Sequence, residues 1–405
     1  MTDGRAIAQI ICFILLSIAT FYALLQTILI LAFHRRHILR ETACFPGKIS
    51  VLRPLLGADS LTYETLAALY RQTRRPDEIR YAIDSEADPA HAVVERLQKE
   101  FPDVPVKVYI GGTVSAPNRK VAKLALLSAD CDSDILIAMD QDILVAPQYL
   151  EEVSNPFSDP KVGLVTSLYR QSPPSTIASA LELLAIHCDF FPSVLVAEFL
   201  EKGLGFAFGA SMAISRQALD AVGGFQALTD YLADDHEMGA RMRKKGYRVI
   251  LSPLIVEHNS GRLDFRTYVD RGIRANRTYR VCRPIGYSFS VLTQGLPWIA
   301  IAASCKATPF LFWSLSLVWV FARLVATITS HFRLTKGKGP WWPFLLLPGH
   351  EAARFLFWGL AFLGKRVKWG KRLYAVDSDG RMREIGKDQS TCSRIAKENE
   401  KDSCL

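Results

Sequence analysis

Asp140 and Asp142 stand two residues apart where the apolar run Ile135-Leu136-Ile137-Ala138-Met139 closes. At the carboxyl edge of an open α/β sheet, an acidic pair with this spacing can hold a divalent cation against a diphosphate. Alone, Asp-x-Asp is a weak signal, because most such pairs are solvated turn carboxylates. Asp84 ends a second apolar run, Tyr81-Ala82-Ile83, and is followed by Glu86 and Asp88. Carboxylates there can accept hydrogen bonds from a uracil or ribose, or cap a helix, and Asp88-Pro89 reads as such a cap. Asn118-Arg119-Lys120 follows a Gly-Gly turn and offers cations either to a phosphate or to solvent at a helix start.

Asp234 and Asp235 lie in Tyr231-Leu232-Ala233-Asp234-Asp235-His236-Glu237, an acidic pair in an apolar, helical setting. Adjacent residues cannot share one helix face, so one carboxylate can brace while the other points at a substrate and takes a proton. Acids drawn to a helix N-terminus by its dipole explain the same pattern. Arg271, Arg274, Arg277 and Arg280 recur at every third position. On a helix they form a comb of guanidinium groups suited to a diphosphate or to anionic lipid headgroups. His258 precedes this comb after an apolar strand, where a lone histidine is more often structural than catalytic.

The elements that must position these groups are short apolar runs alternating with amphipathic helical patterns. Strands are expected at 49–54, 78–83, 104–110 and 135–139, and helices at 60–72, 89–101 and 120–128. Repeated β-α-β units imply an α/β fold with a mostly parallel sheet and helices on both faces. A chain of 405 residues with 49% apolar content can bury such a core and still supply membrane segments. The formal charge of +9 is gathered beside hydrophobic stretches. With no nucleic-acid-binding motif to accompany it, that distribution favours a membrane surface over nucleic acid. The eight cysteines show no metal spacing and read as reduced thiols facing the cytosol.

Ala6 to Phe33 contains no charge and, as a helix, reaches about 40 Å, enough to cross a bilayer. The basic cluster His34-Arg35-Arg36-His37 with Arg40 follows it, which places the next domain in the cytoplasm. Apolar runs at 287–304 and 307–332 read as a helical hairpin, and 341–364, with His350, Glu351 and Arg354 at its centre, as a re-entrant or interfacial helix. The expected organisation is an N-terminal membrane helix (1–36), a cytosolic catalytic domain (37–284), a C-terminal membrane part (285–372) and a polar cytosolic tail (373–405).

Taken in order, Val51-Leu52-Arg53-Pro54-Leu55, Asn118-Arg119-Lys120, Val162-Gly163-Leu164-Val165, Phe208-Gly209-Ala210-Ser211-Met212, Gly223-Gly224-Phe225, Leu232-Ala233-Asp234-Asp235 and Asn259-Ser260-Gly261 resemble a known pattern. It is that of the family 2 and family 21 glycosyltransferases of the GT-A fold, most of all the ceramide glucosyltransferases and their bacterial relatives. The resemblance implies a GT-A-type mixed sheet with one N-terminal and two to three C-terminal membrane helices. It implies a UDP-sugar donor contacted by Asp84, Glu86, Lys120, Asp140, Arg271 and Arg274, and Mg2+ or Mn2+ held by Asp140 and Asp142. Asp235 becomes the base that activates a membrane-lipid hydroxyl, with Asp234, Arg277 and His258 near the acceptor. Ala275 stands where the family usually has Trp. Stretches shared with hopanoid-pathway enzymes, among them Leu164 to Arg170, make N-acetylglucosaminyl transfer to a hopanoid alcohol the alternative to glucosyl transfer to ceramide, on a bacterial inner membrane. Processive polysaccharide synthesis and a non-catalytic lipid-binding protein are the other readings.

Overall fold

The computed structural model describes residues 2–36, 44–112, 115–259, 261–304, 310–370 and 372–387, with backbone only at 2–6, 34–36 and 387. The side chains of the basic cluster expected at 34–40, and Ser260 of Asn259-Ser260-Gly261, lie outside that description. In chain order the elements are α1 (Thr2–Arg36), β1 (Ile49–Pro54), α2 (Thr62–Tyr70), β2 (Glu78–Ile83), α3 (Pro89–Glu100), β3 (Val106–Ile110), α4 (Arg119–Ala129), β4 (Ile135–Met139), β5 (Ile143–Leu144) and α5 (Tyr149–Ser154). They continue with β6 (Val162–Gln171), α6 (Ile177–Leu184), α7 (Phe191–Leu200), β7 (Ser211–Ser215), α8 (Arg216–Ala221), α9 (Asp234–Lys244), β8 (Arg248–His258) and α10 (Phe265–Cys282). The last are α11 (Pro284–Phe289), α12 (Gly295–Ser304), α13 (Phe310–Thr335), α14 (Leu347–Leu360), β9 (Arg366–Trp369), β10 (Arg372–Val376) and β11 (Met382–Lys387).

Local chemistry starts the helices where the sequence predicts. The Asp88 carboxylate accepts from Ala90 N with Pro89 at the first helical position of α3, and Asn118 Oδ1 accepts from Val121 N at 3.1 Å to cap α4. The expected α/β sheet has eight strands in the order β3-β2-β1-β4-β7-β6-β8-β5. β3, β2, β1 and β4 are parallel, β7 runs against both β4 and β6, and β8 is parallel to β6. Both faces are covered. Ile49, Val51, Ile135, Ile137 and Met139 pack with α2 and α3, while Leu52, Leu136 and Ala138 pack with α4. β4 therefore reads as a continuous apolar run rather than an alternating one, and β1 nearly so, interrupted by the buried Ser50 and Arg53. Ile30 and Phe33 of α1 enter the second of these cores, so the N-terminal helix is joined to the catalytic domain rather than tethered beside it.

Among the described residues, three stretches are long and apolar enough to cross a membrane: Ile7–Phe33, Ile177–Leu200 and Phe310–Thr335. The second was not anticipated, because Glu182, His187, Asp189 and Glu198 interrupt its hydropathy. Its polar groups point inward to partners. Arg323 of α13 binds Asp189 at 2.5 Å and Glu351 at 2.7 Å, and His350 binds Asp189 at 2.7 Å. Asp189, His350 and Glu351 lie close enough to one another to resemble a metal set. Arg323 and Arg354 already neutralise both carboxylates, so the cluster reads as a structural tie among α13, α14 and the helical turn 185–190 that joins α6 to α7. It also explains the charges in the middle of 341–364. With 14 residues α14 rises about 21 Å, short of a hydrocarbon core about 30 Å thick.

Residues 366–387, expected as the end of the membrane part and the start of a polar tail, instead form an antiparallel sheet in the order β11-β10-β9. The period-two signal is present in Arg366-Val367-Lys368-Trp369, where charges between apolar positions hide it from a hydropathy reading, whereas in β10 only the burial alternates, with Tyr374 and Val376 facing in. Val367, Tyr374, Val376 and Met382 share a small core with Leu232, against which Val281 and Trp369 pack.

Candidate active site

The chemistry-bearing residues fall at one rim of the large sheet. Asp84 follows β2, and Asp140 and Asp142 span the turn from β4 to β5. Gly209 precedes β7, Gln171 ends β6 and His258 ends β8. The β4–β5 turn is held from beneath by Arg53, which is fully buried and whose guanidinium donates to Thr65 O, Gln141 O and Ile143 O at 3.2–3.4 Å. From the side, Gln141 accepts from Leu56 N at 2.7 Å and donates to Gly57 O at 2.8 Å. The acidic pair therefore sits on a braced turn and not on a free loop.

Three carboxylates, those of Asp140, Asp234 and Asp235, act on one ammonium. Lys120 Nζ lies 2.6 Å from Asp140 Oδ1 and donates to Gly209 O at 3.2 Å, and Gly209 N donates to Asp235 Oδ2 at 2.7 Å. The second oxygen of Asp235 accepts from His236 N at 2.7 Å. Asp234 turns the other way into the domain, 6% exposed, and its Oδ1 accepts from Asn118 Nδ2 at 3.2 Å. On the far side of Asp140, Asp142 Oδ2 meets His258 Nε2 at 3.1 Å, and His258 Nδ1 is 2.9 Å from Gln171 Oε1. His258, expected near the acceptor, is thus a partner of the acidic pair.

The electrostatics follow from burial and this geometry. Burial pushes the Asp140 carboxyl above its ordinary range, opposed by Lys120 and reinforced by Asp142 and Asp235. Burial acts the same way on Asp142, but the His258 hydrogen bond outweighs it and holds that carboxyl low. Burial draws the Lys120 pKa down, yet the carboxylates of Asp140, Asp234 and Asp235 outweigh it and keep the ammonium charged. Asp234 is raised to about 6, chiefly by burial. The set has more acid than base, with oxygen donors at Asp140 and Asp142 and an imidazole beside them. That donor chemistry fits Mg2+ or Mn2+.

The remaining expected residues divide. Asp84 is in ion pairs with Lys123 at 2.8 Å and Arg119 at 3.2 Å, and Glu86 is exposed on the turn beyond it. The arginine comb of α10 is not uniform. Arg271 binds Glu182 of α6 at 2.9 Å. Arg277, expected near the acceptor, instead donates to the carbonyls of Leu363 and Arg366 and anchors the segment between α14 and β9. Arg274 forms no ion pair among the described residues, lies 5.7 Å from the Trp369 ring, and is depressed in pKa first by burial. Sequence reasoning missed Arg53, Gln171 and Glu182 as supports, although an arginine inside the apolar strand Ile49-Ser50-Val51-Leu52-Arg53 is itself a signal.

Gly209 has a steric reason to be glycine. A Cβ built there would lie 2.9 Å from Lys120 Nζ and 3.3 Å from Asp235 Oδ2. Gly209→Ala is expected to lower kcat about 10- to 100-fold by displacing both groups, with a thermal midpoint near wild type. Unchanged kcat would show that neither group has to hold its position.

The family match gives the class, a glycosyltransferase, here joined to helices apolar enough to cross a membrane. Residues 11–382 match the model of glycosyl transferase family 21, and the chain belongs to that family. Curated relatives from Caenorhabditis elegans include ceramide glucosyltransferase 3, 24% identical over 236 residues (58% of this chain, 51% of that protein). Ceramide glucosyltransferase 1 is 24% identical over 262 residues (63% and 56%). The chain spans about half the length of these relatives. Among solved structures, a mannosyltransferase from Pyrobaculum calidifontis in complex with GDP-Man and Mn2+ covers 86% of this chain and 98% of that chain, at a TM-score of 0.48 and 18% identity.

Proposed function

We propose that the protein moves a hexose from a UDP-sugar to the hydroxyl of a membrane lipid with inversion at the anomeric carbon, in the manner of a ceramide glucosyltransferase. The observation that carries this reading is the convergence of Asp140 and Asp235 on Lys120 and Gly209 at one sheet rim, with Asp142 beside Asp140 on the same turn. The relatives' names, and α10 running from that rim into α11 and α12, support a lipid acceptor. Asp235 accepts the proton of the lipid hydroxyl as its oxygen attacks the anomeric carbon. The bond to the diphosphate breaks in the same step, which inverts the centre. Backbone N–H groups of Gly209 and His236 each donate to one Asp235 oxygen and so fix where the carboxylate points. Arg274 donates to the departing diphosphate, and Asp84 and Glu86 lie where the nucleoside would rest. A divalent cation held by Asp140 and Asp142 would supply positive charge to the same diphosphate. His258 orients Asp142 for that task, an arrangement usual behind metal-binding carboxylates.

Membranes containing the protein, incubated with UDP-glucose or UDP-N-acetylglucosamine and with ceramide or a hopanoid alcohol, are expected to yield a monoglycosylated lipid by mass spectrometry. A polymer would instead favour a processive synthase. No product, together with no metal-dependent UDP binding, would favour a lipid-binding role. Arg274→Gln is expected to lower kcat/KM for the sugar nucleotide about 10²-fold. Arg271→Gln, whose guanidinium Glu182 already holds, should cost several-fold less. Equal losses would return the role to the whole comb.

A further inference from the structure

The helix that presents Asp235 lacks a side-chain cap, since Ala233 stands at the N-cap of α9. The segment leading into it, 229–233, is neither helix nor strand. It is held from outside by the tight turn between β10 and β11. Met382 N donates to Asp230 O at 2.7 Å and Leu232 N donates to Gly380 O at 3.0 Å, so the two segments pair as a short antiparallel ladder through Tyr231 and Arg381. The Tyr231 ring lies between Arg381 at 5.6 Å and Arg241 of α9 at 5.3 Å. The turn is itself tied by Asp377, whose Oδ1 accepts from Asp379 N at 3.0 Å and Arg381 N at 2.9 Å, with Gly380 at φ +81°.

The same small sheet grips the other half of the site. Trp369 of β9 stacks by Arg274, Lys368 binds Asp270 at 3.3 Å, and the strand's approach accepts hydrogen bonds from Arg277 and Arg280 of α10. Leu232 and Val281 meet in the sheet's core. The seam is not filled. A cavity of about 230 Å3 lies between α9, α10 and the turn, lined by Tyr231, His236, Thr278, Cys282 and Gly380. Without the turn's hydrogen bonds, the start of α9 has room to relax away from Gly209.

From this geometry we propose that the 366–387 sheet is a positioning device that fixes the Asp234–Asp235 helix start and Arg274 relative to each other, with Asp377 and Trp369 as its positioning residues. The proposal rests on the reading of Asp235 as base and Arg274 as diphosphate ligand. Neither positioning residue needs to touch the reacting atoms. Because the sheet packs on α9 and α10, it also places residues 366–387 on the same side of the membrane as the site.

The test uses the full chain in detergent or membranes with the UDP-sugar that the lipid assay identifies. Asp377→Ala should lower kcat at least tenfold while the Kd for UDP stays within about threefold, and Asp377→Asn, whose amide oxygen can still accept both N–H groups, should recover most of the rate. Hydrogen exchange at 230–236 should speed at least tenfold in Asp377→Ala, with 49–54 unchanged as the internal check on folding. Trp369→Leu should raise the KM for the sugar nucleotide more than it lowers kcat, and Trp369→Phe should do so less. Wild-type rates and wild-type exchange at 230–236 in Asp377→Ala would overturn the positioning role even where Asp235→Asn is inactive. An active Asp235→Asn would overturn the underlying catalytic reading instead.

Discussion

Asp235→Asn is expected to lower kcat roughly 10³-fold while the Kd for UDP moves by less than about threefold, because the change removes proton acceptance and leaves the donor site in place. In the native site each carboxylate oxygen receives one backbone N–H, from Gly209 and from His236, both at 2.7 Å. Each oxygen keeps a lone pair for a substrate. Asparagine can satisfy only one of these donors and turns an NH2 toward the other, so a modest fall in thermal midpoint is also expected. The neighbouring carboxylate gives the control. Asp234→Asn keeps an oxygen for Asn118 and removes a buried charge, so turnover should persist. The sign of its pH effect is fixed by the raised pKa. With a folded value of about 6 and an unfolded value of about 3.9, the native state holds the extra proton between those limits. That contribution to stability is full below about pH 4 and lost as the pH rises through 6, and the asparagine variant should lack this slope. Equal turnover in Asp235→Asn and wild type would remove the proposed base.

The contrast between these adjacent residues shows what the sequence could and could not tell. That Asp234 and Asp235 occupy different helix faces follows from helical geometry. Which of them faces the site follows only from Asn118 and Gly209, which are 116 and 26 residues away along the chain from their respective partners. The strand β4 was legible because burial on both faces makes it an unbroken apolar run, and β1 and β2 because mostly apolar runs stand between turn residues despite Arg53 and Arg80. The antiparallel insertion of β7 between β4 and β6 was not, since pairing order is a property of the closed sheet. The arginine comb was visible as a period, but its division of labour was not. Glu182 takes Arg271 and the 363–366 carbonyls take Arg277, and both partners come from distant elements. The charged stretch 177–200 and the small sheet at 366–387 were misjudged for one reason: hydropathy counts charges without knowing whether Arg323, or an opposing strand, will meet them.

Lys120→Met is expected to produce the largest loss of stability at the site, because one ammonium balances several acids there. Breaking a fully buried ion pair by removing one partner costs about 3–5 kcal/mol, and this pair, with the Asp140 side chain 35% exposed and partly screened by solvent, should lose less than that. Here Lys120 contacts Asp140 at 2.6 Å, and the field of Asp234 and Asp235 also acts on it. In the variant Asp140 and Asp234 can regain neutrality only by binding protons, so their folded pKa values, already raised, move further above the unfolded ones. The deficit should therefore be greatest above pH 7 and shrink as the pH falls toward 6, read as the thermal midpoint in detergent across that range. Activity should fall with it, because Gly209 O loses its donor and the Gly209 N–H that aims Asp235 loses its anchor. Adding Asp140→Asn to Lys120→Met removes the stranded charge and is expected to restore most of the midpoint without restoring turnover, a coupling that a double-mutant cycle measures directly. If the single and double variants unfold at the same temperature, the ammonium is not what holds the acids of this rim together.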